Sequence, residues 1–156
     1  MKISNYITSE QACKSETAIR KGIDNTPNED QLKAMKLLCE KVYDPICKTL
    51  KISIPATSFF RSEKLNKTIG GSSTSQHCKG EAIDLDCDGL VNYTNKQLFD
   101  FIKAEDTGIE FDQLIWEYGD DKNPAWVHVS YSAMKNRGQI LKAIKVNGKT
   151  KYVNHG

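Results

Sequence analysis

Residues 75–86 read SQHCKGEAIDLD and continue into CDG. His77, one of three histidines in the chain, stands beside Cys78 and upstream of Asp84, Asp86 and Asp88. Three metal chemistries fit these residue types. His77 with Asp84 is part of a catalytic zinc set, and His77 with Cys78 and Cys87 suggests a structural zinc. Asp84, Asp86, Asp88 and Gly89 follow the start of a calcium loop.

Spacing constrains the first reading. His77 and Asp84 are seven residues apart, which is ~10 Å along one helix and ~23 Å along one strand. Neither lets both touch one ion at ~2 Å. The chain must fold back between them, and Lys79-Gly80 supplies the permissive turn. Asp84 then falls among Ala82, Ile83 and Leu85, where a carboxylate is costly unless it is paired or bound to metal. Taken alone, the pair fits a solvated edge strand with a stray histidine equally well. The segment AWVHVSY breaks that tie: extended, it puts Trp126, His128 and Ser130 on one face and Val127 and Val129 on the other. His77, Asp84 and His128 make a two-histidine, one-carboxylate set with a fourth position left for water. A hydrolytic metal also needs a base. Glu117, at the end of the apolar FDQLIWEY, is the candidate, with an exposed strand-end glutamate as its alternative. Glu110, Asp120 and Asp121 have loop-like flanks, and His155, beside the terminus, is expected to be frayed.

The cysteine site has neither a close Cys pair nor a fourth ligand. The calcium loop has Asn95 where position twelve needs a bidentate glutamate, and a strand precedes it. Asp86 and Asp88 are left as candidates for a calcium site or for a polar turn.

The elements that must position these residues read as α+β. Thr8 and Gln11 have capping-box spacing for a helix ending near Gly22. Asn28 caps a longer helix with Leu32, Met35, Leu38, Cys39, Val42, Ile46 and Leu50 on one stripe. Cys39 and Cys47 are expected as buried free thiols. Strands are expected over 52–60, 80–86, 111–118 and 125–131, with a short helix over 62–69. A further helix opens at Thr94 with Leu98, Phe101 and Ile102 inward, and the chain closes in a hairpin over about 139–153 that turns at Asn147-Gly148. Helices first and strands later, without a repeated βαβ unit, predict a central, mostly antiparallel sheet with the N-terminal helices packed on it.

At 156 residues the chain fits a single domain, 1–156. Its 22 basic and 20 acidic residues leave a net charge of +2, too weak a field to suggest nucleic acid or a membrane surface as partner. No apolar run reaches the ~20 residues of a span, and MKISNYITSEQACKSE lacks the apolar centre of a secretory signal. Cytoplasmic synthesis and a monomer are expected.

SxHxxGxAxD, running Ser75, His77, Gly80, Ala82, Asp84, followed by Trp126-Val127-His128, resembles the zinc D-Ala-D-Ala carboxypeptidases. That family includes D-Ala-D-Ala dipeptidases and phage endolysins and shares its fold with the hedgehog signalling domain. TSFFRS resembles the family's SGYRS and places Arg61 where it binds substrate or steadies the oxyanion. LN followed by IGGSSTSQH resembles a sub-group common in phage and prophage genomes. The resemblance covers about residues 25–137. It implies one zinc held by His77, Asp84 and His128, and a peptidoglycan stem peptide as substrate. Many members carry the catalytic glutamate three residues before the second histidine, where Ala125 stands. The hedgehog-type arrangement puts the acid upstream at a strand end, in a context like Trp116-Glu117-Tyr118, which assigns the base to Glu117. Ser75 binds substrate or ties down its turn, and Trp126 packs or offers substrate a platform. The implied activity is carboxypeptidase or endopeptidase, in an endolysin-like protein reaching the cell wall after release. The alternative is a non-catalytic zinc-containing cell-wall-binding or virion module.

Overall fold

The computed structural model describes residues 2–156. The N-terminal segment forms two short helices instead of the one expected. Helix α1 (Ser9–Ala12) is opened by the Thr8–Gln11 capping box, and α2 (Glu16–Lys21) by the Ser15 hydroxyl, which accepts from Ala18 N–H. Ser15 supplies a second N-cap, which restarts the helix after residues 13–14. Gly22 closes α2 in the left-handed region at φ 63°.

Helix α3 (Glu29–Leu38), capped by Asn28 and Gln31, runs through a π turn at Cys39–Tyr43 into α4 (Asp44–Leu50). Within that turn Asp44 N–H reaches back five residues to Cys39 O. Pro45, without an N–H of its own, follows directly and removes one ordinary helical hydrogen bond. Met35, Leu38, Cys39, Val42 and Ile46 are buried, as their spacing predicts, and Cys39 and Cys47 are buried free thiols.

The remaining elements are β1 (Ala56–Ser58), α5 (Glu63–Thr68), β2 (Ala82–Leu85), α6 (Asn95–Lys103), β3 (Gln113–Glu117), β4 (Trp126–Ser130), β5 (Gln139–Val146) and β6 (Lys149–Asn154). The six strands form one sheet in the order β1-β2-β4-β3-β5-β6, antiparallel except for the β3–β5 pair. Strand β1 is shorter than the expected 52–60 because the backbone after Ser58 is used elsewhere. Phe59 O lies 2.7 Å from His77 Nδ1, Phe60 O accepts from Asn25 Nδ2, and Phe60 N–H donates to Ala12 O.

Alternation divides the sheet by face. Ile83, Leu85, Leu114, Trp116, Val127 and Val129 join the helical side chains in one core. From α6 the core takes Leu98, Phe99 and Ile102; Phe101, expected inward, is only half-buried against the core, and Phe99 is buried instead. Full burial of each such side chain contributes roughly 1.5–3 kcal/mol, so this core does not need a metal to hold it together, unlike a zinc finger. His155 is not frayed: it is half-buried, with its ring 5.2 Å from Trp116 and 5.7 Å from Phe99, and its N–H donates to Ile140 O. Among the described residues, no helix is long and apolar enough to cross a membrane.

The fold-back before β2 is a 3₁₀ turn, Gln76–Lys79, closed by Gly80 at φ 74°. A Cβ on Gly80 would stand 2.4 Å from Gln31 O and 2.9 Å from Met35 Cγ of α3. Gly80→Ala therefore costs at least about 1–2 kcal/mol from the left-handed backbone alone, with the backbone clash added. Urea denaturation checks this; an unchanged midpoint contradicts it.

Candidate active site

Strand register brings the predicted ligands together. Asp84 on β2 is the direct partner of His128 on β4, so the two side chains rise from one face about one strand spacing apart. His128 Nδ1 lies 2.9 Å from Asp84 Oδ1. The 3₁₀ turn delivers His77 from beside the sheet, with Nε2 3.2 Å from the same Asp84 oxygen. One ligand atom from each of the three lies within 4.8 Å of the others.

The hydrogen bonds fix what His77 can offer. Phe59 O can only accept, so His77 Nδ1 carries the proton and donates at 2.7 Å. Nε2 is left with a lone pair aimed at a carboxylate. It is buried with no hydrogen-bond partner, because the 3.2 Å approach to Asp84 lacks hydrogen-bond geometry. Two acceptors facing each other in a buried site call for a cation or a proton between them. Burial opposes ionisation of Asp84, yet His77 and His128 outweigh it and hold the carboxyl below the usual carboxylate range. An ionised carboxylate with two imidazole nitrogens is a donor set that zinc accepts, and the backbone carbonyl on His77 Nδ1 supplies the outer support such ligands use.

Arg61 lies on the β1 side. Its Nη2 stands 4.0 Å from Asp84 Oδ2, and its Nη1 donates to Asn66 Oδ1 at 3.0 Å. Its Nε is buried without a partner. Gly71 makes room for this pair, since a Cβ there would be 2.1 Å from Asn66 Oδ1 and 3.1 Å from Arg61 Nη1. Asn66 also donates to Ser72 O, which ties the Gly-rich loop to α5.

Glu117 ends β3 and is 7% exposed, the opposite of an exposed strand-end acid. Burial pushes its carboxyl up to about 7; Asp84 adds to that, while His128 and Arg61 oppose it. Its register partner is Trp126, and both line the groove that holds the histidines, a space of about 1580 Å³. Ser75 also lines this groove, and its hydroxyl caps the 3₁₀ turn by accepting from His77 N–H at 3.3 Å.

Asp86 and Asp88 close a polar turn. Asp86 Oδ1 accepts from Asp88 N–H and from Asn95 Nδ2, and Asp88 accepts from Asn123 Nδ2. Asn95, at loop position twelve, is fully buried and also bonds Cys87 N–H, Pro124 O and Ala125 O. Among the described residues only His77, Asp84 and His128 form a three-ligand group, so no third acid joins Asp86 and Asp88, and Cys78 and Cys87 stand outside it.

Sequence reasoning missed the supports of the His77 turn. Asp112 is buried, accepts twice from the Arg137 guanidinium at 2.8 Å, and accepts from Gln76 Nε2 at 3.0 Å beside His77. An acid between Phe111 and Leu114 is the same signal that singled out Asp84.

The raised carboxyl of Glu117 gives a stability signature in the metal-free protein. Between the ordinary value of 4.5 and about 7 the folded state holds more protons than the unfolded chain. Stability therefore falls as pH rises through that window and stays lower above it. Metal-free Glu117→Gln is expected to be more stable than the parent at pH 8 by on the order of 2–3 kcal/mol, and equal to it at pH 4. Urea titrations at the two pH values check this. Equal stability at pH 8 contradicts it.

The comparisons with known proteins give a family for the chain. No curated protein matches the chain. The family described as Peptidase M15 matches residues 5–130, a span that includes Arg61, the three metal-site residues and Glu117. M15 peptidases are hydrolases that use zinc. The chain therefore belongs to the M15 family of zinc D-Ala-D-Ala carboxypeptidase-like peptidases.

Proposed function

We propose that the protein hydrolyses peptide bonds in peptidoglycan stem peptides, as a carboxypeptidase or endopeptidase. The observation that carries this reading is a buried donor set, His77, Asp84 and His128, opening on a groove beside a glutamate poised near neutral pH. Zinc held there supplies Lewis acidity toward a carbonyl oxygen and a water.

The chain's own groups do the rest. Glu117, whose carboxyl burial pushes up in the metal-free protein, takes a proton from the attacking water on a carboxylate oxygen and delivers it to the amide nitrogen that leaves as an amine. Both transfers need a group that binds and releases protons near the working pH. The fork-shaped guanidinium head of Arg61 suits a substrate carboxylate or the developing oxyanion. Asn66 holds that head in place. Trp126 offers an aromatic surface on the groove next to Glu117. Ser75 acts through the turn: by holding His77 N–H it orients the ligand.

A murein digestion with stoichiometric zinc tests the reading, scored by new amino groups and free D-Ala. The parent protein is expected to release them. Glu117→Ala should bind zinc normally and lose roughly 10²–10⁴-fold in rate, while His128→Ala should lose zinc and turnover together. A parent protein that binds murein without cleaving it contradicts the proposal, and an active Glu117→Ala removes Glu117 from the base role.

A further inference from the structure

The family match ends at residue 130, yet the C-terminal hairpin builds one side of the groove. Strand β5 pairs in parallel with β3, and β6 pairs antiparallel with β5. Their register sets Glu117, Ala143 and Tyr152 in one row across the sheet, and Lys145 opposite Thr150 further along. Direct partners share a face, and so do residues two apart on a strand. Lys145, Thr150 and Tyr152 therefore stand on the face that carries Glu117 and His128, and all three line the groove. Tyr152 lies two strand spacings from Glu117, ~10 Å between backbones. Ala143, small and fully buried, lies between them.

The hairpin is also fastened to the site. Tyr118 OH and Thr150 Oγ1 share a hydrogen bond of 2.6 Å, and Lys145 Nζ sits 5.7 Å from the Tyr118 ring centre. Tyr118 follows Glu117 directly and adopts φ 54°, a left-handed backbone uncommon for a bulky residue and kept only where surroundings impose it. Its ring packs 5.5 Å from Trp126. Half the Tyr152 side chain remains exposed. Burial, Glu117 and Asp84 all oppose ionisation of its phenol, so it stays a neutral donor. Lys145 is exposed and has no salt-bridge partner among the described residues.

We propose that the β5–β6 hairpin is a second substrate-binding wall, in which Lys145 and Tyr152 receive a carboxylate-bearing segment of the peptide on the side of the metal ligands opposite Arg61. Lys145 offers the charge, and Tyr152 offers a hydroxyl donor and an apolar ring face. The groove then holds an extended peptide by a cation at each end, Arg61 near β1 and Lys145 on β5, with the scissile bond between them. The proposal rests on the peptidase reading and adds the substrate class: peptides with an anionic group at a distance from the cut.

The test uses the zinc-loaded protein and a synthetic stem pentapeptide, with twins in which one carboxylate at a time is amidated. Turnover is followed in the Lys145→Ala and Tyr152→Ala backgrounds. Binding is followed by calorimetry with Glu117→Gln added to stop cleavage, and thermal melts confirm folding. One amidated twin should lose about tenfold in affinity for the parent and less than about twofold for Lys145→Ala. Tyr152→Ala should raise KM about tenfold for the parent peptide with its melting temperature unchanged. An active parent protein whose Lys145→Ala and Tyr152→Ala variants bind and cleave every peptide as it does overturns the hairpin proposal alone. A parent that neither binds nor cleaves any of them overturns the peptidase reading as well.

Discussion

A carboxylate held inside a sheet against two imidazoles is the constraint on which the rest of this structure depends. Asp84 could escape the cost of burial only by neutralising itself or by facing positive charge. The one proton of a neutral His77 is committed to Phe59 O, so its Nε2 meets Asp84 without a hydrogen bond. Around this one Asp84 oxygen, His128 Nδ1 lies in hydrogen-bond contact while His77 Nε2 faces it without one, an arrangement that makes sense around a cation. The surrounding chain serves that convergence. Strand β1 stops early so that Phe59 O is free, Gly80 lets the turn press against α3, and the β2–β4 register sets Asp84 opposite His128.

The sheet keeps its two tasks on opposite faces. One face is a continuous apolar core with the helices, and it carries the stability that the other face spends. On that other face sit a lone-pair repulsion, a carboxyl raised by burial, and a bulky residue in a left-handed backbone, all within a few residues of the groove. Strain and perturbed ionisation gathered in one concave site are what a catalytic centre requires, and a purely structural zinc has no need of Glu117 or the groove. The hairpin extends the same logic beyond the residues that define the family, since β5 joins the sheet directly beside Glu117.

Much of this was legible in the residues. His77, Asp84 and His128 stood out because a histidine beside a turn, an acid in an apolar strand and a histidine on one strand face are each expensive or specific. The capping residues Thr8, Asn28 and Thr94 announced their helices for similarly local reasons. Non-local hydrogen bonding was not legible. Nothing in ISIPATSFF says that two carbonyls will leave the sheet for His77 and Asn25, and nothing near the C-terminus says that His155 will pack on Trp116. Asn95 illustrates the same limit: its sequence position suggested a failed calcium ligand, while the fold uses it as a buried connector between two loops. The parallel placement of β5 beside β3 likewise depends on a long connection that no local pattern encodes.

The most direct test of the central claim is X-ray absorption at the zinc edge of the protein loaded with one equivalent of metal. The account predicts stoichiometric binding with only nitrogen and oxygen neighbours, of which two are imidazoles, and loss of one imidazole in His77→Ala. A sulfur neighbour, which would place Cys78 or Cys87 on the ion, or no stoichiometric zinc at all, would contradict it.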